Sequence, residues 1–256
     1  MALPLGSTVA LSPVRRLMSD FLYFSRHVPL ITMERQIDLA EVVEARARLE
    51  QRPSWFALFL KAYAIVSEQQ PILRRSYLPF PWPRLHQHAC NVAALAIARK
   101  VGDEDGVLFL RIAHPEQRSL IELDELIRRA RTEPLEQFAD FRRYLRLGRW
   151  PLPLRRLMWW AGLEVSGRCR EKNFGTFGVS GVAALGASLV NLLSPLTTTI
   201  SYGPFADNGT AIARLFYDHR VLDGVEPARA LEMLEETLRG PILQELRSFA
   251  LTRRAA

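Results

Sequence analysis

A histidine that closes a β-strand and sits in a tight turn is well placed to move protons, and His219 is in that setting. Ala213, Leu215 and Tyr217 alternate with Arg214, Phe216 and Asp218, the two-residue period of a strand. Asp223-Gly224 is a turn signal, and from Val225 onward Ala228, Leu231, Leu234 and Leu238 recur at three- and four-residue spacing, the apolar stripe of a helix. Gly240-Pro241 is expected to stop that helix. Imidazole titrates near neutral pH, so it can take a proton from an attacking group and return it to a leaving group. Asp223, four residues on, invites reading as the acid of a dyad. Taken alone, a strand-end histidine is also a common structural residue.

The elements that must hold this turn can be read in order. Ser12-Pro13 looks like an N-cap and first helical residue, opening a helix to about Phe24 that carries Arg15 and Arg16. Val28 to Asp38 reads as a strand, with Leu30, Thr32 and Glu34 on one face and Ile31, Met33 and Arg35 on the other. A charged helix over Leu39 to Glu50 is followed, after the cap Ser54, by an apolar one through Val66. Strands are expected at Asn91 to Arg99, Gly106 to Ala113, Gly175 to Ser180 and Thr197 to Tyr202, with a helix from Leu120 to about Arg131. Strands that do not alternate regularly with helices predict an α/β (α+β) chain with a mixed sheet covered by helices.

Composition narrows the function classes. The chain has 256 residues, 48% hydrophobic and 24% charged, the balance of a soluble globular domain with a real core. Met1 to Pro13 shows no cationic region followed by an apolar run, and Val182 to Leu196 is broken by Gly186, Ser188, Asn191, Ser194 and Pro195; a cytoplasmic location is the expectation. Cys90 and Cys169 make neither a disulfide framework nor a zinc site. His86 and His88 share a strand face, but two ligands without a third are a poor metal case, and no metal is expected. The net charge of +7 is concentrated: nine basic residues against Glu164 and Glu171 lie between Arg142 and Lys172. Arginine outnumbers lysine 31 to 3, which points to coding bias rather than to a substrate.

The heptapeptide Asp218-His219-Arg220-Val221-Leu222-Asp223-Gly224 resembles the DHRVxDG signature of the catalytic domain of dihydrolipoyl acyltransferases of 2-oxo acid dehydrogenase complexes, a looser form of which marks chloramphenicol acetyltransferases. Other stretches resemble that domain in the same order: SPVRRLMSDFL its opening helix, WFALFLKAYAIVSEQQPILRRSY a helix and the turn after it, NVAALAIARKVGDEDGVLFLRI a strand pair, RSLIELDELIRRAR the next helix, and FGTFGVSG a strand. The resemblance spans about 200 residues and implies a chloramphenicol acetyltransferase-like fold with the active site at a trimer interface.

It also implies roles. His219 would be the general base, and Ser180 would donate a hydrogen bond to the tetrahedral oxyanion. Asp223 would not be a dyad acid but would make a structural ion pair with an arginine near the start of the domain, Arg15 or Arg16, supporting the site together with Gly224. Acyl-coenzyme A would be a substrate, with a lipoyl group supplied in trans, in a homotrimer or a larger cage whose sites can draw His219 and Ser180 from different chains. Residues 1–256 read as a single catalytic domain, without a lipoyl domain or a subunit-binding domain. Two alternatives remain: acyl transfer to a hydroxyl of a small molecule or lipid, and an assembly scaffold that has lost catalysis.

Departures from the family bear on partners. Ser194-Pro195-Leu196-Thr197 stands where the family has an NPPE loop. The segment 138–172 is longer than the usual connection, and its arginines flank Trp150, Trp159 and Trp160. It reads either as a helical hairpin packed on its own apolar face or as a surface for an acidic carrier protein, a membrane interface through 142–172, or the phosphates of coenzyme A. No recognised nucleic-acid fold accompanies these residues, and no nucleic-acid partner is expected.

Overall fold

The computed structural model describes residues 6–252, so the start of the segment searched for a targeting signal lies outside the described residues. The chain runs α1 (Pro13–Ser25), β1 (Leu30–Asp38), α2 (Ala40–Ala47), α3 (Trp55–Gln69), β2 (Arg75–Leu78), β3 (Arg84–Gln87), β4 (Val92–Val101), β5 (Glu104–Ala113), α4 (Leu120–Thr132), α5 (Ala139–Gly148), α6 (Leu152–Trp160), α7 (Gly167–Phe174), β6 (Phe177–Val179), β7 (Thr198–Tyr202), β8 (Thr210–Asp218), α8 (Val225–Thr237) and α9 (Leu243–Thr252). Six strands form one mixed sheet in the order β1-β8-β7-β6-β4-β5. β6 runs parallel to β4 and β7, and the other pairs are antiparallel.

Alternation along the strands divides the sheet into two faces. Leu95, Ile97, Leu110, Ile112, Phe177, Ile200 and Leu215 point into the main core. There they meet α3, which is apolar nearly all round and therefore buried. Ser54 caps α3 by accepting from the Ala57 amide at 3.3 Å. Phe59 stacks on Tyr202 at 4.3 Å and Tyr63 meets Phe177 edge-on at 5.0 Å. α8 and α4 complete this layer.

On the opposite face, α1 and the helices of segment 138–172 cover the β4–β5 end. The join is ionic as well as apolar: Asp20 of α1, fully buried, accepts from Arg155 Nε at 2.6 Å and pairs with Arg156 at 2.8 Å. Trp159, 2% exposed, packs between Phe24 and Phe174. The segment is thus not a self-packed hairpin: α5 and α6 each lie on α1, α5 also meets β5, and α7 continues the run. Arg155 and Arg170 are buried and Arg156 is half-buried, while Arg142, Arg143, Arg146, Arg149, Arg168 and Lys172 stay exposed. The basic surface open to a carrier, a membrane or coenzyme A phosphates is correspondingly smaller than the residue count suggests. No helix among the described residues is long and apolar enough to cross a membrane.

Two expectations are corrected here. Gly240-Pro241 does not end the C-terminal helix; a wide π-type turn over Leu238–Ile242 carries the proline, and α9 continues. Such a turn already releases α-helical bonds, so the amide that proline lacks is not missed, and buried Ile242, Leu243 and Leu246 hold the continuation in the core. The strand holding the two histidines is shorter than expected: β3 contains His86 and ends at Gln87, before His88, and it pairs with β2, a four-residue strand that the sequence does not announce.

Candidate active site

β8 ends at Asp218, whose amide donates to Thr197 O at 2.8 Å and whose carbonyl accepts from Val221 and Leu222 at 3.0 and 3.1 Å. The chain therefore reverses tightly, with Leu222 buried as its anchor. The Asp218 side chain is fully buried and accepts from Arg220 at the backbone N (3.0 Å), Nε (2.9 Å) and Nη2 (2.7 Å). Buried Arg170 lies nearby and donates to the carbonyls of Leu163 (3.0 Å) and Pro195. Burial pulls Arg170 down to about 10, opposed by the Asp218 charge. A compact ionic knot thus underlies the histidine.

His219 itself donates its amide to Pro29 O at 3.1 Å, and its ring is about half exposed, 49%. Its Nδ1 lies 3.0 Å from the Leu222 carbonyl oxygen. A carbonyl can only accept, so Nδ1 carries the proton and Nε2 presents a lone pair, the tautomer of a general base. Asp223 Oδ1 is farther from Nδ1, at 3.7 Å, with its side chain 86% exposed.

Ser180 follows β6, its amide donating to Ile200 O at 3.0 Å. Its hydroxyl makes no hydrogen bond to any described residue, and it lines a cavity of about 300 Å³. Ser194 and Thr199, joined by a 3.1 Å hydrogen bond, share this rim.

Within one chain His219 and Ser180 are not together. Continuing the register, Ser180 is level with Ser201 and hence with Arg214, and His219 lies five residues further along β8. At ordinary strand spacing that is roughly 16 Å along the strands and roughly 10 Å across them. The two residues lie at opposite ends of the sheet.

The expected support of Asp223 is also corrected within the chain. Arg15 pairs with Glu104 and donates to Asp105 O at 3.2 Å, while Arg16 donates to Leu11 O at 3.0 Å. β5 is four strands from β8, roughly 19 Å, so neither arginine reaches Asp223 within the chain. Gly224 has φ −68°, and a Cβ there would meet only Met33 Cε at 3.9 Å, so nothing in the chain demands a glycine. What holds the turn instead is Asp218 with Arg220, adjacent to the expected residues but assigned no role in the sequence.

One further cluster was missed. Glu171 of α7 joins His86 and His88, their ligand atoms lying within 4.8 Å of one another, so these three could hold a metal ion. Both His88 nitrogens already have partners: Glu171 at 3.1 Å and Ser76 at 2.8 Å. Burial pushes His88 down to about 4 despite the opposing Glu171. Cys90 bonds Glu171 at 3.3 Å, and burial pushes its thiol up to about 11. The arrangement already works as a hydrogen-bonded tie between α7 and the β2–β3 hairpin.

No protein-family model matches the chain, and no curated protein matches it by sequence. Solved structures do match in fold. A dihydrolipoamide acetyltransferase from Azotobacter vinelandii superposes with TM-score 0.70 at 19% identity, covering 94% of each chain. The cubic core of a pyruvate dehydrogenase multienzyme complex gives 0.66 at 17% identity, again over 94% of each chain. A chloramphenicol acetyltransferase gives 0.50 at 14% identity, over 87% of this chain and 94% of that one. The neighbours are acyltransferases and complex cores, and the chain has the chloramphenicol acetyltransferase-like fold of dihydrolipoamide acetyltransferase catalytic cores.

Proposed function

We propose that residues 1–256 act as one acyltransferase domain, passing an acyl group from a thioester such as acyl-coenzyme A to the thiol of a dihydrolipoyl group carried by another protein. The observation that carries this reading is the Leu222 carbonyl 3.0 Å from His219 Nδ1, which leaves Nε2 as base. Nε2 takes the proton of the acceptor thiol as its sulfur attacks the carbonyl carbon. The oxyanion accepts a hydrogen bond from Ser180, and the intermediate collapses by breaking the donor C–S bond. The departing thiolate takes the proton back from the imidazolium, so the base is regenerated.

The separation of the half-sites argues that His219 of one chain works with Ser180 of another, in a trimer and, as in the neighbour with a cubic core, in a larger assembly. The Azotobacter neighbour supports the assignment: a serine, a histidine and an asparagine have a role in its catalytic mechanism, the last two four residues apart, the spacing of His219 and Asp223. The test is transfer of labelled acyl groups from acyl-coenzyme A to dihydrolipoamide by wild type and His219→Ala. Label on dihydrolipoamide with wild type alone is expected. Transfer that survives in His219→Ala removes the base, and none from wild type as an intact oligomer removes the thiol acceptor.

A further inference from the structure

The cavity that Ser180 lines is an unusual shape for acetyl chemistry. Its volume is about 300 Å³, and none of its lining side chains carries a charge. The chain's most basic segment contributes only Tyr144 and Trp159 to it, with Phe174 just beyond. Room is made by alternation: Leu95 and Ile97 of β4 fill the main core, while Ala94 and Ala96 on the other face leave a hollow that Phe21 and Phe109 flank. Phe21 stacks on Phe109 at 4.9 Å, so these walls are braced. The hydroxyls of Ser180, Ser194 and Thr199 come instead from the β6–β7 rim.

We propose that this cavity is an acyl-chain pocket for linear chains of about eight to ten carbons, entered past Ser180 and walled in part by the helices of segment 138–172. The inference rests on the acyltransferase reading and names its donor class. A water molecule, close in size to a methylene, takes about 30 Å³ of liquid volume, so the space holds about ten such groups. A surface-open apolar hollow with a few polar groups at its rim is the common form of a small-ligand site. A neutral lining suits a chain already joined through a thioester, whereas a free carboxylate inside would be unpaired. Each methylene buried raises affinity up to about fourfold.

The experiment has two readouts on the intact oligomer. The first is calorimetric binding of decanol, which requires the pocket but not transfer. The second is the kcat/KM series for acetyl-, hexanoyl-, decanoyl- and palmitoyl-coenzyme A with dihydrolipoamide. Saturable decanol binding and an optimum near decanoyl are expected. Ala96→Phe fills the hollow and should lower the decanoyl-to-acetyl ratio at least tenfold. Leu193→Trp, at a partly exposed loop position lining the same cavity, should do so in part without the folding risk of a strand substitution. An acetyl optimum in wild type without decanol binding overturns the pocket and leaves the acyltransferase reading standing. Decanol binding lost in Ala96→Phe, with no acyl transferred by wild type, keeps the pocket and removes the dihydrolipoamide acceptor.

Discussion

The His219 turn and the surroundings of Ser180 are built on different physics. The His219 turn is fixed by directional bonds: Asp218 to Arg220, the paired amides on the Asp218 carbonyl, and Nδ1 to Leu222. The surroundings of Ser180 are fixed by packing, with braced aromatic rings and two alanines defining the space. A base needs its tautomer and direction set to a fraction of an ångström, which hydrogen bonds do. A site for a chain needs volume and neutrality, which side-chain size does. Changes to the bonded groups of the His219 turn should alter rate or stability abruptly, and changes to the apolar lining around Ser180 should alter selectivity by degrees.

The comparison can be broken most decisively at His219. His219→Ala is expected to lower kcat about 10²- to 10⁴-fold with little change in melting temperature, because the ring is half exposed. Removing the support beneath it is next: Asp218→Ala leaves Arg220 and nearby Arg170 without their buried partner and should cost about 3–5 kcal/mol in urea denaturation. Ser180→Ala should lower kcat by roughly 10²-fold, about 3 kcal/mol of transition-state stabilisation, with KM little changed. A pH scan probes a third locus. His88 is held near 4, so between about 6.5 and 4 the unfolded chain takes up a proton that the folded chain refuses. Stability should therefore fall by up to about 3 kcal/mol as pH drops through that window and level off below it, and His88→Gln should flatten the profile. Asp223→Asn should be mildest, less than about fivefold on kcat, since its carboxylate is exposed and 3.7 Å from the ring. Complete loss of activity at an unchanged melting temperature would make Asp223 a dyad acid after all.

Local pattern made the His219 turn legible. Strand alternation, the turn residues and the α8 stripe are written within about two dozen residues, and so is the signature itself. The mixed sheet followed from strands that could be counted. What could not be read depends on strand order and distant pairing. Arg15 looks available to Asp223 until the sheet places β5 and β8 four strands apart. His86 and His88 lack a third partner until α7 brings Glu171 from 83 residues away. Ala94 and Ala96 look like ordinary core alanines until the face they point to is known. Gly240-Pro241 was misread for a local reason: helix-stop chemistry assumes an α-helical turn, and the chain uses a wider one.

The pairing of Leu30 with Asp218 joins strands whose synthesis is separated by most of the chain. At 5–20 residues per second the ribosome needs roughly 10–40 s to deliver β8 after β1 has emerged. Throughout that interval β1 has no neighbour in the sheet and offers its edge to any other extended chain, the circumstance in which a holding chaperone is most useful. Pro29, which anchors the His219 amide, is made 190 residues before the histidine it holds. The His219 turn consequently cannot be assembled until β8 arrives, and a nascent chain stalled before β8 would hold the anchor without the histidine.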